Sequence, residues 1–176
     1  MMRVSTKVES ILGAILVGGA SSRFGSNKAH AVHNGSPLLA HVIAALTPQV
    51  SALAIVGGDW PGLTRIDDCP APGLGPLGGL CGALAYAAAN NFDAVLVAPC
   101  DTLDLPADLA RRLSPGPAVA VGQRSIGLWP VTLAPVLRNW LANGNPRALH
   151  AFITATGAAQ IDCGPLRNIN RPADLG

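Results

Sequence analysis

Ile15-Leu16-Val17-Gly18-Gly19-Ala20-Ser21-Ser22-Arg23-Phe24-Gly25-Ser26-Asn27-Lys28 is the stretch on which the reading of this chain turns. An apolar run from Ile11 to Val17 ends in two glycines. Apolar residues bounded by glycine read as a buried strand. Glycines directly after a strand let backbone N–H groups approach a ligand where a Cβ would block it. Successive loop N–H groups form a concavity that binds anions. Arg23 and Lys28 add two cations to that loop, so it reads as a cradle for a polyphosphate. The plain alternative is an ordinary strand-to-helix turn with two solvated cations.

Two common phosphate loops are excluded. The Walker pattern closes on Gly-Lys-Ser/Thr, whereas Lys28 follows Asn27. The dinucleotide fingerprint needs Gly-x-Gly-x-x-Gly, whereas Gly18 and Gly19 are adjacent. The chain has 176 residues, a length that fits one domain with a sizeable core. Its 12% charged residues and abundant small apolar residues are globular rather than disordered composition. A net charge of +2 without a Lys/Arg run argues against a nucleic-acid partner. The four cysteines form no Cys-x-x-Cys pair, and the four histidines share no ligand spacing with them. Free thiols in a reducing cytoplasm are expected. Residues 1–10 lack the apolar centre of a signal peptide and read as a flexible extension. No apolar run reaches membrane-spanning length.

Downstream, Pro37 to Leu46 has helical spacing, with Pro37 suited to the first turn. Ala52–Val56 is a second short strand, and Thr64–Ile66 a weak third leading into Asp67-Asp68. Pro70 to Leu80 is too dense in glycine and proline for regular structure. A helix is expected from Gly78 to Asn90, so a second Gly-rich loop feeds a helix N-terminus. Asp93–Ala98 is the best strand after the first, and Asp101 follows its end. A carboxylate there lies on the ligand edge of an open parallel sheet and suits Mg²⁺, although a turn or cap role is the plain alternative. Ala107–Leu113 reads as a helix and Pro117–Val121 as a strand. Gln123–Pro130 reads as a segment turning back. Leu133–Leu141 reads as a helix, and a further helix starts at Pro146-Arg147 and ends at Gly157. On a strand, Asn168 and Asn170 would face the same side. Strands alternating with helices imply a mainly parallel sheet covered on both faces, an α/β/α three-layer sandwich.

Several elements resemble, in order, the molybdenum cofactor guanylyltransferase family. Its loop reads Leu-Ala-Gly-Gly, three residues, Arg-Met-Gly, then Asp-Lys; here it is Leu16-Val17-Gly18-Gly19, then Arg23-Phe24-Gly25 and Asn27-Lys28. Gly75-Pro76-Leu77-Gly78-Gly79 is similar to the family's Gly-Pro-Leu-Ala-Gly, and Asp67-Asp68 to the acidic pair ahead of it. Cys100-Asp101-Thr102 matches the family's Cys-Asp-Thr, with Leu103 replacing its following proline. Arg147 matches an arginine at a helix start, and Asn168-Ile169-Asn170 through Leu175 matches the terminal Asn-x-Asn motif. The family often carries an asparagine where Gly57 stands.

The resemblance implies a Rossmann-like fold of the nucleotide-diphospho-sugar transferase type, one domain over residues 1–176, in the cytoplasm. It implies transfer of GMP from GTP to the phosphate of molybdopterin, with release of pyrophosphate and with Mg²⁺ as cofactor. Arg23, Lys28 and Asp101 are then expected to be catalytic, with Asp101 holding the metal. Leu16, Val17, Gly18, Gly19, Lys28, Asp68, Gly78 and Asp101 would bind the nucleotide. Arg147, Asn168 and Asn170 would bind the acceptor. Expected partners are GTP and molybdopterin, with transient contacts to cofactor-biosynthesis proteins or molybdoenzymes, and neither nucleic acid nor membrane. Rival readings are a CTP-dependent enzyme on the same pterin, a sugar- or cobinamide-phosphate nucleotidyltransferase, and a non-catalytic nucleotide-binding module.

Overall fold

The computed structural model describes residues 9–18 and 28–175. The strands are β1 (Ile11–Leu16), β2 (Val32–His33), β3 (Ser36–Pro37), β4 (Ala52–Val56), β5 (Thr64–Ile66), β6 (Ala94–Pro99), β7 (Thr102–Leu103), β8 (Ala118–Ala120), β9 (Gln123–Pro130), β10 (Ala159–Ile161) and β11 (Arg167–Asn168). The helices are α1 (Leu38–Leu46), α2 (Gly75–Ala89), α3 (Leu109–Leu113), α4 (Ala134–Ala142) and α5 (Leu149–Thr156). Seven strands form one sheet in the order β10-β8-β9-β6-β1-β4-β5. All pairings in it are parallel except those of β9, which runs antiparallel to both β6 and β8.

Alternation along β1 explains the layers. Ile11 and Ile15 face α1 and α3 through Leu39, Val42, Leu46, Leu109 and Leu113. Leu12 and Ala14 face the opposite layer, built by Leu77, Leu80 and Leu84 of α2, Leu137 of α4 and Phe152 of α5. Burial on both faces makes β1 and β6 continuous apolar runs rather than alternating ones. The layer below α2 needs small residues. The carbonyl oxygen of Asp67 lies 2.1 Å from where a Cβ on Gly82 would stand. No side chain fits there, so the strand-to-helix connection lies directly on the helix.

Several sequence expectations are corrected. The Gly/Pro-rich stretch is not irregular to Leu80, because α2 begins at Gly75 and takes Pro76 in its first turn, where a missing N–H loses no helical bond. Gln123–Pro130 is not a turn but an eight-residue strand, β9, with Ile126 to Trp129 buried. Arg147 does not open a helix; α5 starts at Leu149 with Ala148 in extended conformation before it. The helix expected from Ala107 starts at Leu109. Strand β11 stops at Asn168, so Asn168 and Asn170 do not share a strand face. β10 was not foreseen at all.

Replacing Gly82 by alanine forces Asp67 and its neighbour Asp68 away from α2. A loss of about 1–3 kcal/mol in urea unfolding is expected, the usual range for overpacking. An unchanged midpoint would mean that the connection moves freely off the helix.

Candidate functional site

The register of three parallel strands brings the site together. Leu16 pairs with Val56 on one side and with Pro99 on the other. The carboxyl ends of β1, β4 and β6 therefore lie level, and the segments leaving them start from one edge. Backbone bonds continue past the strands: Val17 N–H donates to Val56 at 2.8 Å, and Cys100 N–H to Leu16 at 3.0 Å. β1 connects outward to β4 on one side, whereas β6 lies on its other side. That is a topological switch point, where open α/β sheets bind ligands.

A cavity of about 420 Å³ opens there. Among the described residues, Leu16, Val17 and Gly18 line it from β1, Val56 and Gly57 from β4, and Asp68 from the connection to α2. Gly73, Gly75, Pro76 and Gly79 form its remaining wall. Gly57 has φ +79°, and a Cβ on it would stand 2.3 Å from the Val17 carbonyl oxygen. The asparagine of the resembling family has no room at this position, so the departure is built into the backbone. Gly78 plays the converse part: a Cβ there would meet the Asp68 carboxylate at 3.1 Å. Glycine lets Asp68 lie against the first turns of α2.

Past β6, the Lys28 ammonium donates to Asp101 Oδ2 in a partly buried ion pair. Lys28 Nζ also lies 3.4 Å from Asn170 Oδ1. The other oxygen, Asp101 Oδ1, is buried and has no hydrogen-bond partner among the described residues. A buried carboxylate oxygen left unsatisfied is rare and suits a site completed by a ligand. A single carboxylate with phosphate oxygens and water fits Mg²⁺, which keeps much of its hydration. Among the described residues no group of three or more His, Cys, Asp or Glu side chains gathers for a metal, so a metal caged by protein alone does not fit. Burial, and next the Asp101 charge, push the adjacent Cys100 thiol up to about 12. Cys100 is therefore a neutral packing group rather than a nucleophile.

The C-terminal segment is pinned to the same edge. Ile169 N–H donates to the Asp101 carbonyl at 3.0 Å. Thr102 Oγ1 donates to Asn168 Oδ1 at 2.7 Å, and Asn168 Nδ2 donates to Gln123 at 3.3 Å. The Asn170 and Arg171 N–H groups both donate to Asp174 Oδ2 at 2.8 Å, which holds that carboxyl below its ordinary range. The capping side chain before Pro172 is thus Asp174, and the Asn170 amide is left to face Lys28.

Of the residues expected from sequence, the structure brings Lys28, Asp101, Asn168 and Asn170 together, and gathers Leu16, Val17, Gly18 and Asp68 around the cavity with Gly78 behind Asp68. Gly19 and Arg23 lie outside the described residues. Arg147 is exposed, two positions before Leu149. Leu149 shares a small recess with Leu16, Pro76 and Arg124 beside the cavity. The resemblance set Gly57 near the nucleotide and the Gln123–Pro130 stretch near the substrate without naming them as site residues; the structure puts Gly57 in the cavity wall, Gln123 on Asn168 and Arg124 in the recess. The signal for Arg124 and Gln123 was a polar start to an apolar run, which is also how a strand leaving solvent looks.

A glycine-walled cavity at a sheet switch point, beside a lysine–aspartate pair, defines a nucleotide-binding α/β protein. The model of the MobA-like NTP transferase domain matches residues 13–161, and the chain belongs to that family. It is 38% identical to a molybdenum cofactor guanylyltransferase of Cereibacter sphaeroides, over 94% of this chain and 93% of that protein. It is 34% identical to one of Acidiphilium cryptum, over 92% of this chain and 90% of that protein. Two solved structures share the fold. One is molybdopterin-guanine dinucleotide biosynthesis protein A of Archaeoglobus fulgidus (TM-score 0.68, 18% identity, 93% and 94% of the two chains). The other is 4-diphosphocytidyl-2C-methyl-D-erythritol synthase (TM-score 0.67, 13% identity, 95% and 96%). The protein is a nucleotidyltransferase.

Asp101→Asn keeps size and hydrogen bonding but removes the charge. Near-normal thermal stability is expected, with turnover down about 100-fold or more, the loss typical of a group that stabilises transition-state charge. Lys28→Ala should also lower turnover, and the double variant should be no slower than the slower single one, because contacting residues couple. A lowered melting temperature with intact turnover per folded molecule would make Asp101 a structural residue.

Proposed function

We propose that this chain transfers the guanylyl group of GTP to the phosphate of molybdopterin, with release of pyrophosphate, and that residues 1–176 act as one nucleotidyltransferase domain in the cytoplasm. The observation that carries this reading is the Lys28–Asp101 pair beside the glycine-walled cavity, with Asp101 Oδ1 left unpartnered. Among the described residues no helix is long and apolar enough to cross a membrane.

The acceptor phosphate is already ionised at neutral pH, so no strong general base is required. One of its oxygens attacks the α-phosphorus of GTP, and the bond from that phosphorus to the bridging oxygen breaks. Pyrophosphate departs with the electron pair. The barrier is repulsion between anions, and catalysis consists of positioning and charge neutralisation. Lys28 and Arg23 hold the triphosphate and then the leaving pyrophosphate. Backbone N–H groups around Gly18 and Gly19 supply donors without side-chain obstruction. Asp68, lying on Gly78, accepts from the donor edge of guanine, and Leu16 and Val17 form the apolar wall. Mg²⁺ held by Asp101 would supply positive charge to the phosphate oxygens. Asn168, Asn170 and Arg147 serve the acceptor. The Thr102 and Gln123 contacts fix how Asn168 is presented.

Titration calorimetry with GTP, CTP and ATP, each with and without Mg²⁺, tests the reading. GTP is expected to bind at least about tenfold more tightly than the others, about 1.4 kcal/mol. Mg²⁺ is expected to strengthen binding to the native chain and to have much less effect on Asp101→Asn. Equal affinities or a preference for CTP would overturn the guanylyl assignment.

A further inference from the structure

Three of the four cysteines are buried, and Cys69 is half-buried. Cys69 immediately follows Asp68 and lies over α2. Its N–H donates to the Gly78 carbonyl at 3.1 Å. Gly78, Cys81 and Gly82 share one face of α2, being three and four residues apart. On that face Asp67 lies against Gly82, and Asp68 against Gly78. Cys69 packs in the same apolar cluster as Cys81. Burial, and next the neighbouring Cys69 thiol, push Cys81 up to about 12. Burial likewise pushes the Cys100 thiol up to about 12. Burial also raises the Cys163 thiol.

We propose that Cys69 and Cys81 are a reversible disulfide-forming pair that responds to peroxide and whose oxidation is coupled to occupancy of the cavity. The half-buried Cys69 reacts first. Its thiolate attacks one oxygen of hydrogen peroxide and becomes a sulfenic acid, and hydroxide leaves. The Cys81 sulfur then attacks the Cys69 sulfur. The S–S bond forms, the sulfenic hydroxide departs, and it takes up the Cys81 proton as water. In total two thiols and one peroxide give one disulfide and two waters. A dithiol reductant reverses the change by exchange. Packing of the two side chains in one cluster provides the high effective concentration that the buried Cys81 needs in the second step.

The position gives the modification a consequence. The ring closed by this bond would contain Gly73, Gly75, Pro76 and Gly79, all of which line the cavity. Asp68, next to Cys69, lines it as well. Closing the bond fixes the spacing of that lining segment, so oxidation and nucleotide binding oppose one another. A nucleotide that binds the oxidised chain less tightly than the reduced one disfavours oxidation by the same factor. This coupling rests on the nucleotide reading above, whereas formation of the disulfide does not.

The test treats the full chain with hydrogen peroxide and follows it by intact mass and peptide mapping. A loss of about 2 Da, two hydrogens, is expected, mapped to a Cys69–Cys81 crosslink and reversed by dithiothreitol. Cys81→Ser and Cys81→Ala should each abolish the crosslink and leave Cys69 singly oxidised. Cys69→Ser should leave Cys81 unmodified. Saturating GTP with Mg²⁺ should slow the crosslink at least about fivefold. A crosslink using Cys100 or Cys163, a bond between two chains, or stable sulfenic acid at Cys69 in the unaltered chain would overturn the pair. A crosslink that forms as expected but at the same rate when calorimetry shows GTP bound would overturn the coupling alone. Absence of GTP binding altogether would instead count against the nucleotide reading.

Discussion

Parallel pairing of β1 with both β4 and β6 is the constraint from which the candidate site follows. Because Leu16 is level with Val56 and with Pro99, three strands end on one line. Side-chain period in a strand is two, so slipping β1 by one residue would swap Ile11 and Ile15 with Leu12 and Ala14 across the sheet. Each set already faces a differently shaped layer of helices. The core therefore fixes the register, and the register fixes where Gly18, Gly57 and Asp101 leave the sheet.

On the α2 side a second constraint acts through close approach. Asp67 and Asp68 lie on a helix whose Gly78 and Gly82 offer no side chains. The Asp68 carboxylate, against Gly78 in the first turn of a helix that begins at Gly75, sits near the N-terminal end of its dipole, where negative charge is favoured, whereas the exposed Asp67 side chain pairs with Arg65. The same closeness brings Cys69 onto Cys81. The cavity wall and the thiol pair are thus two results of one packing choice.

Much of this was legible before any coordinates. β1, β4 and β6 announced themselves as short apolar runs closed by glycine or by a turn, because a strand buried on both faces has no polar positions to hide it. What was missed has physical reasons. β9 begins Gln123-Arg124-Ser125 and then buries four consecutive residues, so neither alternation nor a clean apolar run marks it. The start of α2 was hidden by Gly75-Pro76, a pair that breaks a helix in its middle but opens one at its first turn. β10 is three residues long and largely exposed, held by pairing to β8 rather than by pattern. At the site, Lys28 and Asp101 were visible as charges after glycine loops and strand ends. The pairing between Asn168, Thr102 and Gln123 was not, since it joins residues far apart in sequence.

The balance of charge at Lys28 and Asp101 carries the final step. As the structure stands, the two side chains neutralise one another at the sheet edge. A polyphosphate entering there meets a lysine already engaged and a carboxylate that repels it. Either Asp101 is an obstacle, or it is half of a device that needs another positive charge. Its two oxygens decide between these. Oδ2 is occupied by Lys28, whereas Oδ1 is buried and unsatisfied, an arrangement that a carboxylate serving only an ion pair would not retain. A divalent cation held by Asp101 would add the positive charge that a phosphate anion needs there. Asn170 Oδ1, 3.4 Å from the same ammonium, gives Lys28 a neutral neighbour. The terminal Asn-x-Asn motif thus meets Lys28 at one ammonium group, beside the backbone bond from Ile169 that clamps the C-terminal segment to Asp101.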